Sequence, residues 1–192
     1  MALTISPHLA TYIRKLRYSI SHTDAGGTIQ KILQQLHHVE ELRLEPASNL
    51  SSFFDWEYID SRLASDIIDL LQCSGLKTFQ CISIRPLPLS LFTSAGRNLC
   101  QISILGQSTV IATDLDRISQ SGEDLPRISE LTVRSSFPTN SLGALIESSH
   151  IIFDFSTLRT LNLSLEDNEG VKIAGELWGL SKSLKNLTLE GG

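Results

Sequence analysis

The chain has 192 residues and a formal net charge of −5, and its 31 leucines and 19 isoleucines fill 50 positions, about a quarter of the total. That aliphatic supply suffices for a core and excludes a wholly disordered chain, while the length suits one domain spanning residues 1–192. Negative charge gives no general attraction to nucleic acid or anionic lipid, and no apolar run approaches the roughly 20 residues of a membrane helix.

The N-terminal stretch MALTISPHLA has no cationic segment followed by an apolar one, so a secretory signal is not expected. Downstream, a short phrase recurs: apolar, two mostly polar residues, apolar, polar, apolar. It begins as IRKLRY (Ile13, Leu16, Tyr18) and returns as VEELRL (Val39, Leu42, Leu44), with a helix expected between them over Thr28–Leu36, whose Ile29, Ile32, Leu33 and Leu36 share one face. A Ser- and Asn-rich insertion, Pro46–Ser52, follows. Next comes a helix over Tyr58–Leu71, with Asp60 or Ser61 placed to cap it.

The phrase then reads FQCISI (Phe79, Ile82, Ile84) and LCQISI (Leu99, Ile102, Ile104), separated by a short, proline-punctuated segment at Leu87–Ser94. After a surface loop at Asp114–Asp124 come ISELTV (Ile128, Leu131, Val133), a helix over Ser141–Ser148 with Ser141 as N-cap, and LRTLNL (Leu158, Leu161, Leu163). A helix over Gly170–Leu180 and LKNLTL (Leu184, Leu187, Leu189) complete the series. Taking the middle apolar residue as marker gives positions 16, 42, 82, 102, 131, 161 and 187, with intervals of 26, 40, 20, 29, 30 and 26.

Alternation puts the last two apolar residues of each phrase on one face of a strand and the polar residue between them on the other. One such strand cannot bury its own apolar face, so neighbours must stack. Parallel strands need crossovers, and the intervals leave room for helices. The expected fold is therefore α/β: a solenoid of about seven irregular repeats, with a curved parallel sheet on the concave side and helices or loops outside.

These phrases resemble the LxxLxL core of the leucine-rich-repeat family over nearly the whole chain. The segment SPHLATYIRKLRY (Ser6–Tyr18) is similar to one in fungal F-box proteins with irregular leucine-rich repeats, where a helix leads into the first strand. The resemblance implies a protein-interaction module, the substrate-recognition repeats of a ubiquitin-ligase component. The alternative is a leucine-rich-repeat scaffold or regulatory protein with no ubiquitin connection. The Asn or Cys that often follows LxxLxL is not evident, since Glu45-Pro46 follows Leu44 and Arg134-Ser135 follows Val133, so turn stabilisation must come from elsewhere. No F-box fits before Ser6.

Neither a catalytic set nor a cofactor motif is present. No G-x-S-x-G elbow, GxxxxGK[ST] or GxGxxG occurs. Of His8, His22, His37, His38 and His150, the adjacent pair points in different directions and chelates poorly. Asp114, Asp116, Glu123 and Asp124 lack the spacing and glycine of a calcium loop. Cys73, Cys81 and Cys100, an odd count, fit neither a disulfide framework nor a CxxC metal pair, and imply a reducing cytoplasm or nucleus.

One constellation remains. Outward residues of stacked strands align in columns on the concave face, which gathers Arg17, Arg43, Arg85 and Arg134 with Glu45. One reading is a surface for a protein partner, with guanidinium donors for carboxylates or phosphates. The other is a solvated face whose arginines pair with Glu41, Glu45 and Glu130. At the C-terminal edge, Leu187 and Leu189 are expected to lack a covering repeat, implying a longer array or self-association.

Overall fold

The structure, a computed structural model, describes residues 7–21, 27–47, 53–93, 95–111, 125–136, 138–149, 151–165 and 168–191. In chain order its elements are β1 (Lys15–Ile20), α1 (Gly27–Leu33), β2 (Glu41–Pro46), β3 (Phe54–Asp55), α2 (Ser61–Leu71), β4 (Thr78–Ile82), β5 (Ile84–Arg85) and β6 (Leu87–Pro88). There follow β7 (Gln101–Gly106), β8 (Val110–Ile111), β9 (Glu130–Ser135), α3 (Pro138–Glu147), β10 (Thr160–Leu165), α4 (Asn168–Leu180) and β11 (Asn186–Gly191). Short 3₁₀ turns at Pro7–Tyr12, Trp56–Tyr58 and Leu89–Phe92 complete the set.

Seven strands form one parallel sheet in the order β1-β2-β4-β7-β9-β10-β11, which is also their order in the chain. Its register aligns Leu16, Leu42, Phe79, Ile102, Leu131, Leu161 and Leu187 in one row. Tyr18, Leu44, Cys81, Ile104, Val133, Leu163 and Leu189 form the next row on the same face. From β2 through β10 the residues of both rows are buried, each at 2% exposure or less. Every fully buried Leu or Ile contributes about 1.5–3 kcal/mol of transfer free energy, so the repeating phrase is a large contributor to stability.

Six of the seven phrases fall in register as read from the sequence, and the third does not. Phe79, not Ile82, stands beside Leu42 and Ile102, so the true phrase is Leu76, Phe79 and Cys81, all fully buried. Ile82 lies opposite Leu105 on the other face. Ser83 then takes a left-handed φ of 51°, which breaks the alternation and sends Ile84 into a separate two-stranded sheet with Phe54. A third small sheet pairs β6 with β8. The same turn requires Gly106: its φ is +68°, and a Cβ there would sit 2.4 Å from Ser83 Oγ.

The turn stabilisation that an Asn would have given comes from buried serines. Ser108 Oγ accepts the Ile84 N–H at 3.2 Å and donates to the Cys81 carbonyl at 3.4 Å. Ser141 Oγ accepts the Val110 N–H at 3.2 Å. Ser141 is therefore not an N-cap. It lies inside α3, which begins at Pro138 and thus earlier than the sequence pattern suggested.

The other helices keep close to their expected spans. Asp60 Oδ1 caps α2 by accepting the N–H groups of Arg62 and Leu63 at 2.9 and 3.4 Å. Helix α1 ends at Leu33, and Leu36 is buried in the turn beyond it. The scarce aromatics are concentrated, with Phe79, Phe92, Phe153 and Phe155 in a chain of centroid spacings 5.1, 5.4 and 5.8 Å. The 3₁₀ turn at Pro7–Tyr12 places Ala10 in the core beside β1. At β11 every residue from Asn186 to Gly191 is exposed, Leu189 by 51%. Among the described residues, no helix is long and apolar enough to cross a membrane.

Candidate functional site

The face of the sheet opposite the core carries the polar residues that alternate with the leucines. The register places Arg17 directly beside Arg43, a like-charge pair that by itself is destabilising across neighbouring strands. The compensation is Glu45, two residues beyond Arg43. Arg17 Nε donates to Glu45 Oε1, while Arg43 Nε and Nη2 lie 2.9 and 2.8 Å from Glu45 Oε2. Ser19 Oγ adds a longer contact to Oε1 at 3.4 Å.

The Glu45 side chain is only 9% exposed, against 67% for Arg17 and 40% for Arg43. Burial pushes its carboxyl upward, but the hydrogen bonds and charges of the two arginines outweigh burial and hold it below its ordinary value of 4.5. A carboxylate anchored in the sheet thus fixes two guanidinium groups that face solvent. Beside them, Lys15 meets Glu41 at 2.7 Å. At the entrance to the strands, Glu40 joins Lys77 at 2.8 Å and Arg14 at 3.6 Å. The Lys77 hydrogen bond holds the Glu40 carboxyl below its ordinary range and raises Lys77 in turn.

An open cleft of about 210 Å³ lies over this end of the face, lined by Lys15, Arg17, Glu41, Arg43, Thr78 and Gln80 along with Leu16 and Leu42. The phrase Phe79, Ile82 and Ile84 lies three residues beyond the one that pairs, so sequence spacing alone does not place Gln80 on this face. Pairing register was the missing signal.

The other two arginines are elsewhere. Arg85 is displaced from the face by the Ser83 turn. It sits on β5, with its guanidinium 3.3 Å from the Phe53 ring centroid, a cation–π contact. Arg134 is on the face but distant from the cleft, and its Nη2 reaches 2.8 Å from Glu190 Oε1 on β11. Glu130 accepts a hydrogen bond from Gln101 at 3.3 Å instead of pairing with an arginine. The rest of the β9–β11 face is neutral: Asn162 donates to Thr132 Oγ1 at 3.2 Å and Asn186 to Thr160 Oγ1 at 3.4 Å.

Among the described residues, no group of three or more His, Cys, Asp or Glu is arranged to hold a metal ion. His22, His150 and the acidic loop at Asp114–Asp124 lie outside the described residues. All three cysteines are unpaired, and burial pushes the Cys81 thiol up to about 12, which keeps it protonated and inert. A smaller cavity of about 100 Å³ lies between α1 and α2, where Gln34 donates to the buried Asp66 at 3.1 Å.

No protein-family model matches the chain, and neither a curated protein nor a solved structure shows significant similarity to it.

Proposed function

We propose that the chain is a leucine-rich-repeat solenoid acting as a protein–protein interaction module, with its partner on the concave, open face of the sheet. The observation that carries this reading is the ladder itself: seven LxxLxL-like strands in parallel register, with aliphatic rows on one face and polar columns on the other. An aligned polar face on a stacked array is an extended surface suited to another protein. Three unpaired thiols support a cytoplasmic or nuclear setting.

Within this reading we favour the substrate-recognition repeats of an F-box-type ubiquitin-ligase component. Its support is the likeness of the Ser6–Tyr18 segment, of which Pro7–Tyr12 is a 3₁₀ turn leading into β1. A repeat scaffold without a ubiquitin connection shares every other feature.

The test compares partner capture by the chain, by an R43E/Q80E variant on the open face, and by a K172E/E176K variant on exposed positions of α4. Loss in the first variant alone is expected, and equal capture by all three would refute the face as the binding surface. Retention of an Skp-type adaptor by the full-length gene product would favour the ligase reading over the scaffold.

A further inference from the structure

We infer that the cleft over β1, β2 and β4 is a receptor for a single carboxylate of a peptide ligand, gripped by the Arg17 and Arg43 guanidinium groups that Glu45 holds in place. This deepens the partner-surface reading and rests on it.

Three observations lead there. The first is the arrangement of donors. Among the described residues, Glu45 is the one carboxylate that Arg17 and Arg43 contact, and it approaches both along the Nε side. Most of their N–H groups therefore stay available, in a planar fork that matches a carboxylate. The second is rigidity. Arg17 and Arg43 are long side chains whose ordering would normally be a large part of the cost of binding. Their shared anchor is nine-tenths buried, so much of that ordering is already present in the free protein.

The third observation is charge. Lys15, Arg17 and Arg43 stand against Glu41 and Glu45, which leaves one uncompensated positive charge at the cleft. A carboxylate neutralises it, whereas a phosphoryl group with a charge of about −1.5 to −2 would leave an excess of negative charge next to Glu41. Thr78 and Gln80 add polar side chains on the third wall. Because both arginines are solvent-exposed, one carboxylate binds weakly and serves as an anchor within a larger contact.

The test is a titration of the full chain followed through the arginine Nε–Hε resonances. The probes are an amide-capped Glu–Ser repeat peptide, its Gln–Ser counterpart, a phosphoserine version, and a Gly–Ser peptide with a free C-terminal carboxylate. Arg17 and Arg43 should respond to the glutamate peptide at concentrations on the order of millimolar, and the glutamine peptide should bind at least about tenfold more weakly. A response to the Gly–Ser peptide alone would also support a carboxylate site and would assign it to a chain terminus. Tighter binding of the phosphoserine peptide, or no movement of either arginine, would overturn the inference.

Glu45 is tested as a positioning residue. E45Q removes a negative charge, so a site governed by net charge alone would bind the glutamate peptide more tightly. Loss of preorganisation predicts binding about three- to tenfold weaker, with the two arginine resonances moving toward their free positions. If partner capture is lost in R43E/Q80E while neither arginine responds to the glutamate peptide or to the Gly–Ser peptide, the partner surface stands and the carboxylate site falls.

Discussion

The two ends of the open face are built on the same strand phrase and differ in what fills the position between the aliphatic residues. Between β1 and β2 that position holds two arginines, anchored by one buried carboxylate and left with open donors. Across β9, β10 and β11 it holds Thr132, Asn162 and Thr188, and Arg134 on the same face is occupied by Glu190. The aliphatic rows beneath β2, β9 and β10 are equally buried, so packing does not explain the difference. Buried aliphatic residues run along the array, whereas the paired arginines with open donors lie at one end. Between them lies the irregular third repeat, where the Ser83 turn removes Arg85 from the face and Gln80 becomes a wall of the cleft.

Substitutions in order of expected effect would sharpen or break this contrast. Phe79→Ala, under the boundary between the two ends, should cost about 3–5 kcal/mol in denaturant unfolding, because a fully buried ring in edge-to-face contact with Phe92 leaves a cavity. Gly106→Ala should cost about 1–3 kcal/mol, since it forces a left-handed φ and drives a methyl group into Ser83. A loss within a few tenths of a kcal/mol would show that the turn does not constrain the third repeat. Ser108→Ala should cost about 1–3 kcal/mol by leaving the buried Ile84 N–H without its acceptor. At the neutral end, Arg134→Ala should change stability by less than about 1 kcal/mol, as its ion pair with Glu190 is exposed on both sides.

A pH series separates the two ends further. The Glu45 carboxyl is depressed in the folded chain, so its contribution is present above its ordinary value of 4.5 and is lost as pH falls through the lower, folded value. The stability difference between the chain and E45Q should therefore be full at neutral pH and disappear under acid. A difference that persists unchanged at the lowest pH would mean that the contacts of Glu45 do not depend on its charge.

Much of this architecture was legible in the sequence. The phrases ISELTV, LRTLNL and LKNLTL lie in adjacent, in-register strands because only one choice of apolar residues satisfies both the three- and two-residue spacings. At the third repeat two choices satisfy them. Leu76-x-x-Phe79-x-Cys81 and Phe79-x-x-Ile82-x-Ile84 are equally apolar, and only pairing with β2 and β7 decides between them. The same ambiguity moved Arg85 onto a face that it does not occupy. Arg17 and Arg43 are legible as one column and Glu45 as a member of the next, but not the burial of the carboxylate, which depends on neighbouring strands. Ser141 looked like a cap because serine begins many helices; here the helix starts earlier, and the hydroxyl instead serves a buried N–H on another turn.

The most direct measurement compares partner capture by two chains with added negative charge, R17E/R43E at one end of the face and N162E/T188E at the other, each shown to be folded at the assay temperature. Loss of capture in the first and retention in the second is the expected result. Retention in the first with loss in the second would contradict the account, because it would place recognition on the neutral end and leave the arginine pair a solvated surface feature.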